Sequence, residues 1–336
     1  MRFGLRLVQY LGTPRRLVEL AVLAEEAGFD SVWFPHDAFM GNSWVLTAAA
    51  AEHTSEIQIG SVGTNSYLTN PVEIATYIAT LDELSEGRAV LGLGLHTTEM
   101  VEWTGLDAGD HVTHTREATE IIRSLLRGEV VDYRGEVFSW TDQCYLRFRP
   151  HRPEIPIYIA AFGSQFLALS GEIGDGSLPM ITPPEAASYM VPAIRAGLSA
   201  AGRHPSQVDI AGCAWLSLSE SRAEATDVLR QMISYFGPYL EELALETVGL
   251  QKKDFDRVRE MMAAGRHDEA TAAVTEDMFR LAISGSPKHV IEQIERVAAL
   301  GVTHVNLGGP LGPDPAQAIR LMGDRVIPHF REGRPD

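Results

Sequence analysis

The sequence predicts an α/β fold in which parallel strands close into a single (β/α)8 barrel. Strand-like runs alternate with amphipathic helical segments along the chain, and eight such runs can be counted. No GxGxxG motif opens the first helix, which disfavours an open doubly wound sheet. A barrel needs about 250 residues before insertions, so one domain spanning residues 1–336 accounts for the chain.

The first unit shows how each element is predicted. Phe3 to Tyr10 is a β-rich run, Thr13 is suited to cap the following helix, Pro14 to its first position, and Gly28 to the turn after it. Each later strand is likewise followed by a helical segment, such as Ser43–His53 after the second strand and Pro71–Leu84 after the third. The remaining predicted strands are Ser31–Phe34, Ile57–Val62, Ala89–Leu95, Ile157–Ala161, Ser177–Ile181, Val208–Leu218 and Thr303–Leu307.

Two stretches do not fit the alternation of strands and helices. Residues from about 129 to 156 look β-rich, and residues 237–286 look mostly helical and polar. We interpret them as insertions after strands 4 and 7. Insertions on loops that follow barrel strands usually shape the active site, so both are expected to border it.

The charge balance narrows the choice of partners. Acidic side chains number 45 against 28 basic ones, giving a net charge of −17, which repels nucleic acid and anionic membrane surfaces. The N-terminal segment lacks the apolar core of a secretion signal, and no stretch is apolar enough to span a membrane. We therefore expect a cytoplasmic protein that acts on a small-molecule substrate.

Candidate site residues are sought where strands end, because barrel enzymes carry their working groups there. Four kinds of feature occur at such places: an adjacent histidine and aspartate, a run of small and hydroxyl residues, a GxG pair, and a helix start suited to phosphate. Each also has a purely structural explanation as a capping, turn or packing residue. The candidates are His36, Asp37, Ser61, Val62, Gly63, Thr64, Asn65, Gly92, Gly94, His96, Glu99, Phe162, Gly163, Ser164 and Gln165.

Several common catalytic motifs are missing from the sequence. It contains no HExxH, no GxSxG and no Walker A motif, and its histidines follow no metal-ligand spacing. Metal and serine-hydrolase chemistry are therefore not expected.

Two long segments resemble the luciferase-like superfamily of flavin and deazaflavin oxidoreductases. Thr115–Trp140 and Ile155–Gly176 resemble deazaflavin-dependent dehydrogenases and reductases in the order and spacing of their residues. Ile283–Pro328, with GPLGPD at Gly309–Asp314, is most similar to the 5,10-methylenetetrahydromethanopterin reductase branch. The resemblance implies a barrel of the bacterial luciferase-like type that binds coenzyme F420, or alternatively FMN, at its mouth.

The resemblance also implies roles for individual residues. It places a non-prolyl cis peptide at Ser61–Val62 or Val62–Gly63, behind the coenzyme ring. Gly163, Ser164 and Gln165 would hold the phosphate, and Asp37, Thr64 and Asn65 would lie near the polar edge of the ring. The residues expected to make room for the ring are Ala160, Ala161, Gly92 and Gly94.

Three positions depart from the family pattern. The chain has His36-Asp37 where the family usually has Asp-His, and Arg6 where the reductases carry a glutamate. Thr97 stands where related dehydrogenases have a glutamate. His96 is accordingly the expected proton donor, with Glu99 second and His36 as a further candidate.

The function implied is an F420-dependent oxidoreductase that transfers a hydride between coenzyme F420 and a small organic substrate. The alternative is an FMN-dependent monooxygenase supplied by a partner flavin reductase, and a third is a barrel that only binds a flavin-like ligand. The resemblance further implies a homodimer, for which the apolar run Trp44–Ala51 is suited.

Overall fold

The computed structural model describes residues 1–94 and 98–331, and within them nine parallel strands form one sheet. Their positions follow the predicted alternation closely. The strands are β1 (Arg2–Arg6), β2 (Ser31–Pro35), β3 (Gln58–Thr64), β4 (Ala89–Gly94), β5 (Ile157–Ala161), β6 (Gly176–Pro179), β7 (Asp209–Leu218), β8 (Ala282–Gly285) and β9 (His304–Leu311).

Fourteen α-helices lie between and after the strands in the described residues. They are α1 (Pro14–Glu26), α2 (Ser43–His53), α3 (Pro71–Leu84), α4 (Thr98–Trp103), α5 (His111–Leu126), α6 (Gly163–Ile173), α7 (Pro184–Ala200), α8 (Arg222–Phe236), α9 (Glu242–Thr247), α10 (Asp256–Ala263), α11 (His267–Ala272), α12 (Pro287–Ala299), α13 (Pro315–Leu321) and α14 (Ile327–Arg331). Short 3-10 turns join several of them, and a π-helical turn, Met322–Val326, joins the last two.

The sheet closes into a barrel of eight strands, as the sequence predicts. β1 to β7 pair in chain order, and β9 pairs with both β7 and β1 to complete the ring. The short β8 pairs only with the carboxyl-terminal part of β7, from Trp215 to Leu218. Since β9 occupies the other edge of β7 there, β8 lies on the edge that β6 leaves free. This ninth strand was not predicted.

Several of these helices begin at a residue whose side chain caps the first turn. Thr13 accepts a hydrogen bond from the Arg16 amide and precedes Pro14, and Asn42 caps the start of α2 in the same way. Gly28 follows α1 with a φ of 82°, a left-handed conformation that glycine adopts without strain. The predicted cap, helix start and closing glycine of the first unit are thus confirmed, but the strand ends at Arg6 instead of Tyr10, and Gln9–Leu11 forms a 3-10 turn.

The apolar side chains form two cores. The larger lies between the sheet and the helices, and the smaller fills the inside of the barrel. In the smaller core the Trp33 and Tyr158 rings meet edge to face at 5.4 Å. Because the inside is filled by side chains, a ligand can enter only above them, at the mouth.

A buried polar network lies at the amino-terminal end of the barrel. One oxygen of Asp209 accepts hydrogen bonds from the Tyr158 hydroxyl at 2.8 Å and from Arg2 Nη1 at 2.9 Å, and contacts His304 Nδ1 at 3.0 Å. Its other oxygen accepts from the Thr303 hydroxyl at 2.6 Å. Burial alone would raise the pKa of Asp209, but these partners, His304 first, hold it well below its ordinary value.

The first insertion does not lie where it was predicted. Residues 129–156 connect α5 to β5, so the segment starts and ends at the amino-terminal end of the barrel, away from the mouth. Its antiparallel bonds fold it into a hairpin whose tip packs on the first turns of α5. There the Glu117 carboxylate accepts hydrogen bonds from the amides of Glu136, Val137 and Phe138 at 2.6 to 3.0 Å. The segment that directly follows β4 is instead the short one containing α4.

Candidate functional site

A cavity of about 520 Å³ opens at the carboxyl-terminal ends of the barrel strands. Its size falls within the range of small-molecule and coenzyme sites, and its position is where enzymes of this fold bind their ligands. The walls are mostly apolar, with a few polar and charged groups. The lining residues are Arg6, Val8, Pro35, Asp37, Met40, Val62, Gly63, Met100, His111, Ala160, Ala161, Phe162, Phe166, Met180, Ile181, Tyr239, Leu240, Glu241 and Ala244.

Some of the residues singled out in the sequence meet at this cavity and others do not. Those that line it are Asp37, Val62, Gly63, Ala160, Ala161 and Phe162. Those that lie outside the lining are His36, Ser61, Thr64, Asn65, Gly92, Gly94, Gly163, Ser164 and Gln165. His96 and the side chain of Glu99 lie outside the described part of the chain.

A bulge at the end of β3 forms one wall of the cavity. The register between β3 and β4 shifts between Ser61 and Thr64, and Gly63 has a φ of 78°. The Ser61 and Thr64 hydroxyls, both buried, hydrogen-bond each other across this bulge at 2.7 Å. The hydroxyl groups therefore stabilise the bulge from behind, and the Val62-Gly63 backbone faces the cavity.

The prediction of a non-prolyl cis peptide in this loop was wrong. The bonds Ser61–Val62 and Val62–Gly63 are both trans, and the cis peptide within the described residues is Gly309–Pro310. The bulge is instead produced by the left-handed conformation of Gly63 and the register shift.

Asn65 follows the bulge and is almost fully buried. Its Oδ1 accepts a hydrogen bond from the Leu68 amide at 3.0 Å, which holds the turn that leads toward α3. Its Nδ2 has no hydrogen-bond partner. A buried amide donor without an acceptor is costly, so this group is suited to a polar ligand atom or a water molecule.

Gly92 and Gly94 do not line the cavity, and their absent side chains serve strand packing. A Cβ on Gly92 would lie 2.5 Å from the Ser61 carbonyl oxygen. A Cβ on Gly94 would lie 2.7 Å from both the Cβ and the carbonyl oxygen of Ala160. The prediction that they make direct room for a ring is therefore corrected: they let neighbouring strands approach and so position Val62 and Ala160.

The start of α6 lies beside the cavity, after Phe162. Phe162 is the N-cap residue and gives no side-chain cap, so the structural alternative of Ser164 as the cap was wrong. Ser164 and Gln165 are exposed in the first turn. The first backbone N–H groups of a helix have no partners within it, and together with the helix dipole they attract an anion such as phosphate.

Of the adjacent residues His36 and Asp37 after β2, Asp37 lines the cavity and His36 does not. Asp37 lines the cavity, and its Oδ1 accepts a hydrogen bond from the Phe39 amide at 2.8 Å. The His36 ring packs edge to face on Trp44 at 5.4 Å, and its Nδ1 lies 3.3 Å from the Ser43 hydroxyl. His36 is thus oriented toward α2 rather than toward the cavity.

His111, at the start of α5, is a lining residue that sequence reasoning missed. The Tyr67 hydroxyl donates to the Ala108 carbonyl at 2.6 Å and lies 2.9 Å from His111 Nδ1. A phenol has one proton to donate, so toward His111 it acts as acceptor. This arrangement fixes the neutral imidazole with its proton on Nδ1.

Arg6, the last residue of β1, was noticed only as a departure from a family pattern, yet it lines the cavity. Its side chain is 7% exposed, and its Nη2 donates to the Ala214 carbonyl at 3.1 Å. The signal that could have found it is its position, since the end of β1 belongs to the same mouth as the ends of β2 to β5.

The second insertion contributes another part of the wall. Tyr239, Leu240, Glu241 and Ala244, from the segment that follows α8, all line the cavity. Part of the segment 237–286, which was predicted to border the site, therefore lines this cavity. Sequence alone could not identify these residues, because the path of the segment over the mouth is set by tertiary contacts.

Comparison with known proteins agrees with this geometry. The family model described as luciferase-like monooxygenase matches residues 1–304. The chain belongs to this family. It is 33% identical to 5,10-methylenetetrahydromethanopterin reductase of Archaeoglobus fulgidus, covering 98% of this chain and all of that one. It is 30% identical to F420-dependent glucose-6-phosphate dehydrogenase of Microbacterium testaceum, covering 99% and 98% of the two chains.

A solved structure gives the same assignment. The coenzyme F420 dependent tetrahydromethanopterin reductase of Methanopyrus kandleri superposes with a TM-score of 0.92 at 30% identity, covering 98% of this chain and 99% of that one. The family resemblance and the luciferase-like barrel expected from the sequence are thereby confirmed. Within residues 1–94 and 98–331, no helix is long and apolar enough to cross a membrane.

Proposed function

We propose that this chain is an F420-dependent oxidoreductase that transfers a hydride between coenzyme F420 and a small organic substrate. The observation that carries the proposal is the full-length match to an F420-dependent reductase, with a TM-score of 0.92. The cavity at the strand ends supplies the place for this chemistry. When bound, the deazaflavin ring would supply the hydride donor or acceptor.

The residues around the cavity fit a planar ring that carries a phosphate. Val62 and Gly63 of the bulge, with Ala160 and Ala161, offer a smooth apolar surface to a ring. Asp37 suits its polar edge. The open start of α6, from Gly163 to Gln165, suits the phosphate.

Our proposed acid–base residue among the described residues is His111. It lines the cavity and its tautomer is held by Tyr67. An imidazole can give or accept a proton near neutral pH. The sequence expectations for His96, Glu99 and His36 stay predictions, and of these three His36 is the one whose described contacts lead away from the cavity.

We also propose that two copies pair through α2 and α3. A groove of about 480 Å³ lies between these helices, lined by residues that include Trp44, Ala48, Tyr77 and Leu84. Val45 beside it is 69% exposed. Exposed apolar patches of this kind commonly mark association surfaces. That the whole chain is one domain and works in the cytoplasm stay predictions.

The proposal is tested by anaerobic fluorescence titration of the purified protein with coenzyme F420 and with FMN, each oxidised and reduced. Tight binding of F420 with weak binding of FMN is expected. The reverse preference, with oxygen consumption when reduced FMN is supplied by a flavin reductase, would instead establish the monooxygenase alternative. Binding of neither would contradict both and leave the non-catalytic barrel.

A further inference from the structure

Arg6 is a buried cation without a counterion, placed in the lining of the cavity. Arg6 is 7% exposed, and its Nη2 donates one hydrogen bond to the Ala214 carbonyl at 3.1 Å. Its Nε is buried and has no acceptor. Among the described residues it forms no ion pair, although burial of an unpaired charge is strongly unfavourable.

The neighbouring strand is shaped to admit this side chain. Gly308 of β9 pairs with Arg6 of β1, and a Cβ on Gly308 would lie 2.8 Å from Arg6 Nη2. The missing side chain therefore leaves the space in which the guanidinium crosses β9 to reach β7. Gly308 therefore makes room for an arginine side chain at position 6.

The groups nearest to this charge do not neutralise it. Burial raises the pKa of the Cys213 thiol and raises that of Tyr10 to about 12, while the charge of Arg6 acts in the opposite direction on both. Both groups are therefore uncharged at neutral pH. Of the described acidic residues that line the cavity, Asp37 and Glu241, neither forms an ion pair with Arg6.

A second unpartnered polar group lies one layer below. Asn306 is fully buried, and both its Oδ1 and its Nδ2 lack hydrogen-bond partners. It stands two residues before Gly308 on β9 and pairs with Gly4 and Cys213 of the adjacent strands. Beneath Arg6 the barrel interior thus holds an amide with unused hydrogen-bonding capacity.

Building on the proposed function, we infer that Arg6 binds a carboxylate of the substrate, so that this enzyme acts on a small carboxylic acid. A guanidinium presents coplanar N–H groups that match the two oxygens of a carboxylate.

The test uses three probes of similar size: benzoate, neutral benzamide, and phenyl phosphate. Their dissociation constants are measured by ligand-observed NMR with the wild-type protein and with Arg6→Gln, Arg6→Lys and Arg15→Gln. The wild type should bind benzoate at least about tenfold more tightly than benzamide. Arg6→Gln should abolish this preference, Arg6→Lys should keep part of it, and Arg15→Gln, which changes an exposed arginine of α1, should leave it intact.

Other outcomes overturn the inference. Equal binding of benzoate and benzamide to the wild-type protein would overturn it without data from any variant. Tighter binding of phenyl phosphate than of benzoate would show that the site prefers a phosphate to a carboxylate. Coenzyme F420 is titrated in parallel by fluorescence. If Arg6→Gln weakens F420 binding and leaves benzoate binding unchanged, the anionic group that pairs with Arg6 belongs to the coenzyme, and the inference fails. If the wild type prefers benzoate but does not bind F420, the proposed function fails while the carboxylate site stands.

Discussion

Gly94 of β4 pairs with Ala160 of β5 beneath the cavity wall. The Cβ of any other residue would sit 2.7 Å from the Ala160 Cβ and from its carbonyl oxygen. Because one of these atoms is backbone, a side-chain rotation cannot relieve the contact. The separation of the two strands, and with it the position of Ala160 in the wall, depends on a missing methyl group.

We predict that Gly94→Ala destabilises the protein by about 1–3 kcal/mol, the usual cost of overpacking a core. Urea denaturation of the variant and the wild type measures this difference. Gly41→Ala is the matched control, since the nearest atom to its added Cβ is the flexible Gln9 side chain at 3.3 Å. Its effect should stay within about 0.5 kcal/mol. Equal effects of the two changes would show that strand contact is not what the glycine provides.

The same residues show what sequence could predict about the site. Gly63 was found because it stands at a strand end, where the fold rule directs attention, whereas Ala160 was found through the family resemblance. Gly92 and Gly94 were correctly recognised as positions that require a small residue, but the sequence could not show which neighbour requires it. That neighbour lies on an adjacent strand, and the distance across two strands is a tertiary property.

Among the elements, the start of α6 has the clearest consequence for binding. Its first turn carries no acidic residue and no side-chain cap, and Ser164 is exposed there. A negative side chain at this position would favour the helix through its dipole and would repel a phosphate placed at the same end. Helix stability and coenzyme binding should therefore change in opposite directions.

We predict that Ser164→Asp weakens binding of coenzyme F420 by about tenfold without lowering the melting temperature. Fluorescence titration and thermal denaturation measure the two effects. Ser188→Asp, which adds the same charge at an exposed position in α7, is the control and should leave the affinity nearly unchanged. Equal losses in both variants would attribute the effect to overall charge, and no loss in either would place the phosphate elsewhere.

Elements with strong local signals were predicted nearly to the residue. α2 and α3 have the predicted bounds, Ser43–His53 and Pro71–Leu84, because an asparagine cap precedes each and, in α3, a proline opens the helix. The hairpin after α5 was recognised as β-rich but was assigned to the connection that follows β4, whereas it lies between α5 and β5. Its placement depends on Glu117, whose bonds to the hairpin tip span about twenty residues and leave no local pattern.

At the scale of the whole molecule, the network around Asp209 ties β7, β5, β1 and β9 together at one end of the barrel. The pKa of Asp209 in the folded protein lies below its ordinary value, which is about 3.9 in an unfolded chain. The ionised carboxylate therefore stabilises the fold above about pH 4. That contribution is lost as the pH falls toward the folded pKa.

We predict that Asp209→Asn lowers the free energy of unfolding by about 3 kcal/mol at about pH 7, since it leaves buried partners uncompensated. The difference from the wild type should shrink as the pH is lowered toward about pH 3, because the wild type then loses the same interaction. Urea denaturation at several pH values tests this. Asp324→Asn, at an exposed position, should show a small difference that does not change with pH. A pH-independent deficit for Asp209→Asn would contradict the assignment.

The proposed pairing through α2 and α3 makes a prediction about assembly. Val45 is 69% exposed beside a groove in which Trp44 stacks on Tyr77 at a centroid distance of 4.3 Å. In a two-fold symmetric dimer each substitution occurs twice in the interface. Two buried carboxylates should therefore raise the dissociation constant of the Val45→Asp variant at least about tenfold.

Light scattering coupled to size-exclusion chromatography, over a range of protein concentrations, measures this dissociation. The control is Val130→Asp, which places the same charge on a valine that is 58% exposed at the far end of the barrel, after α5. It should leave the molar mass profile unchanged. A wild-type monomer at micromolar concentration would refute the dimer itself. A dimer weakened equally by both changes would show that net charge, and not the groove, controls association, because only Val45 adjoins the proposed contact.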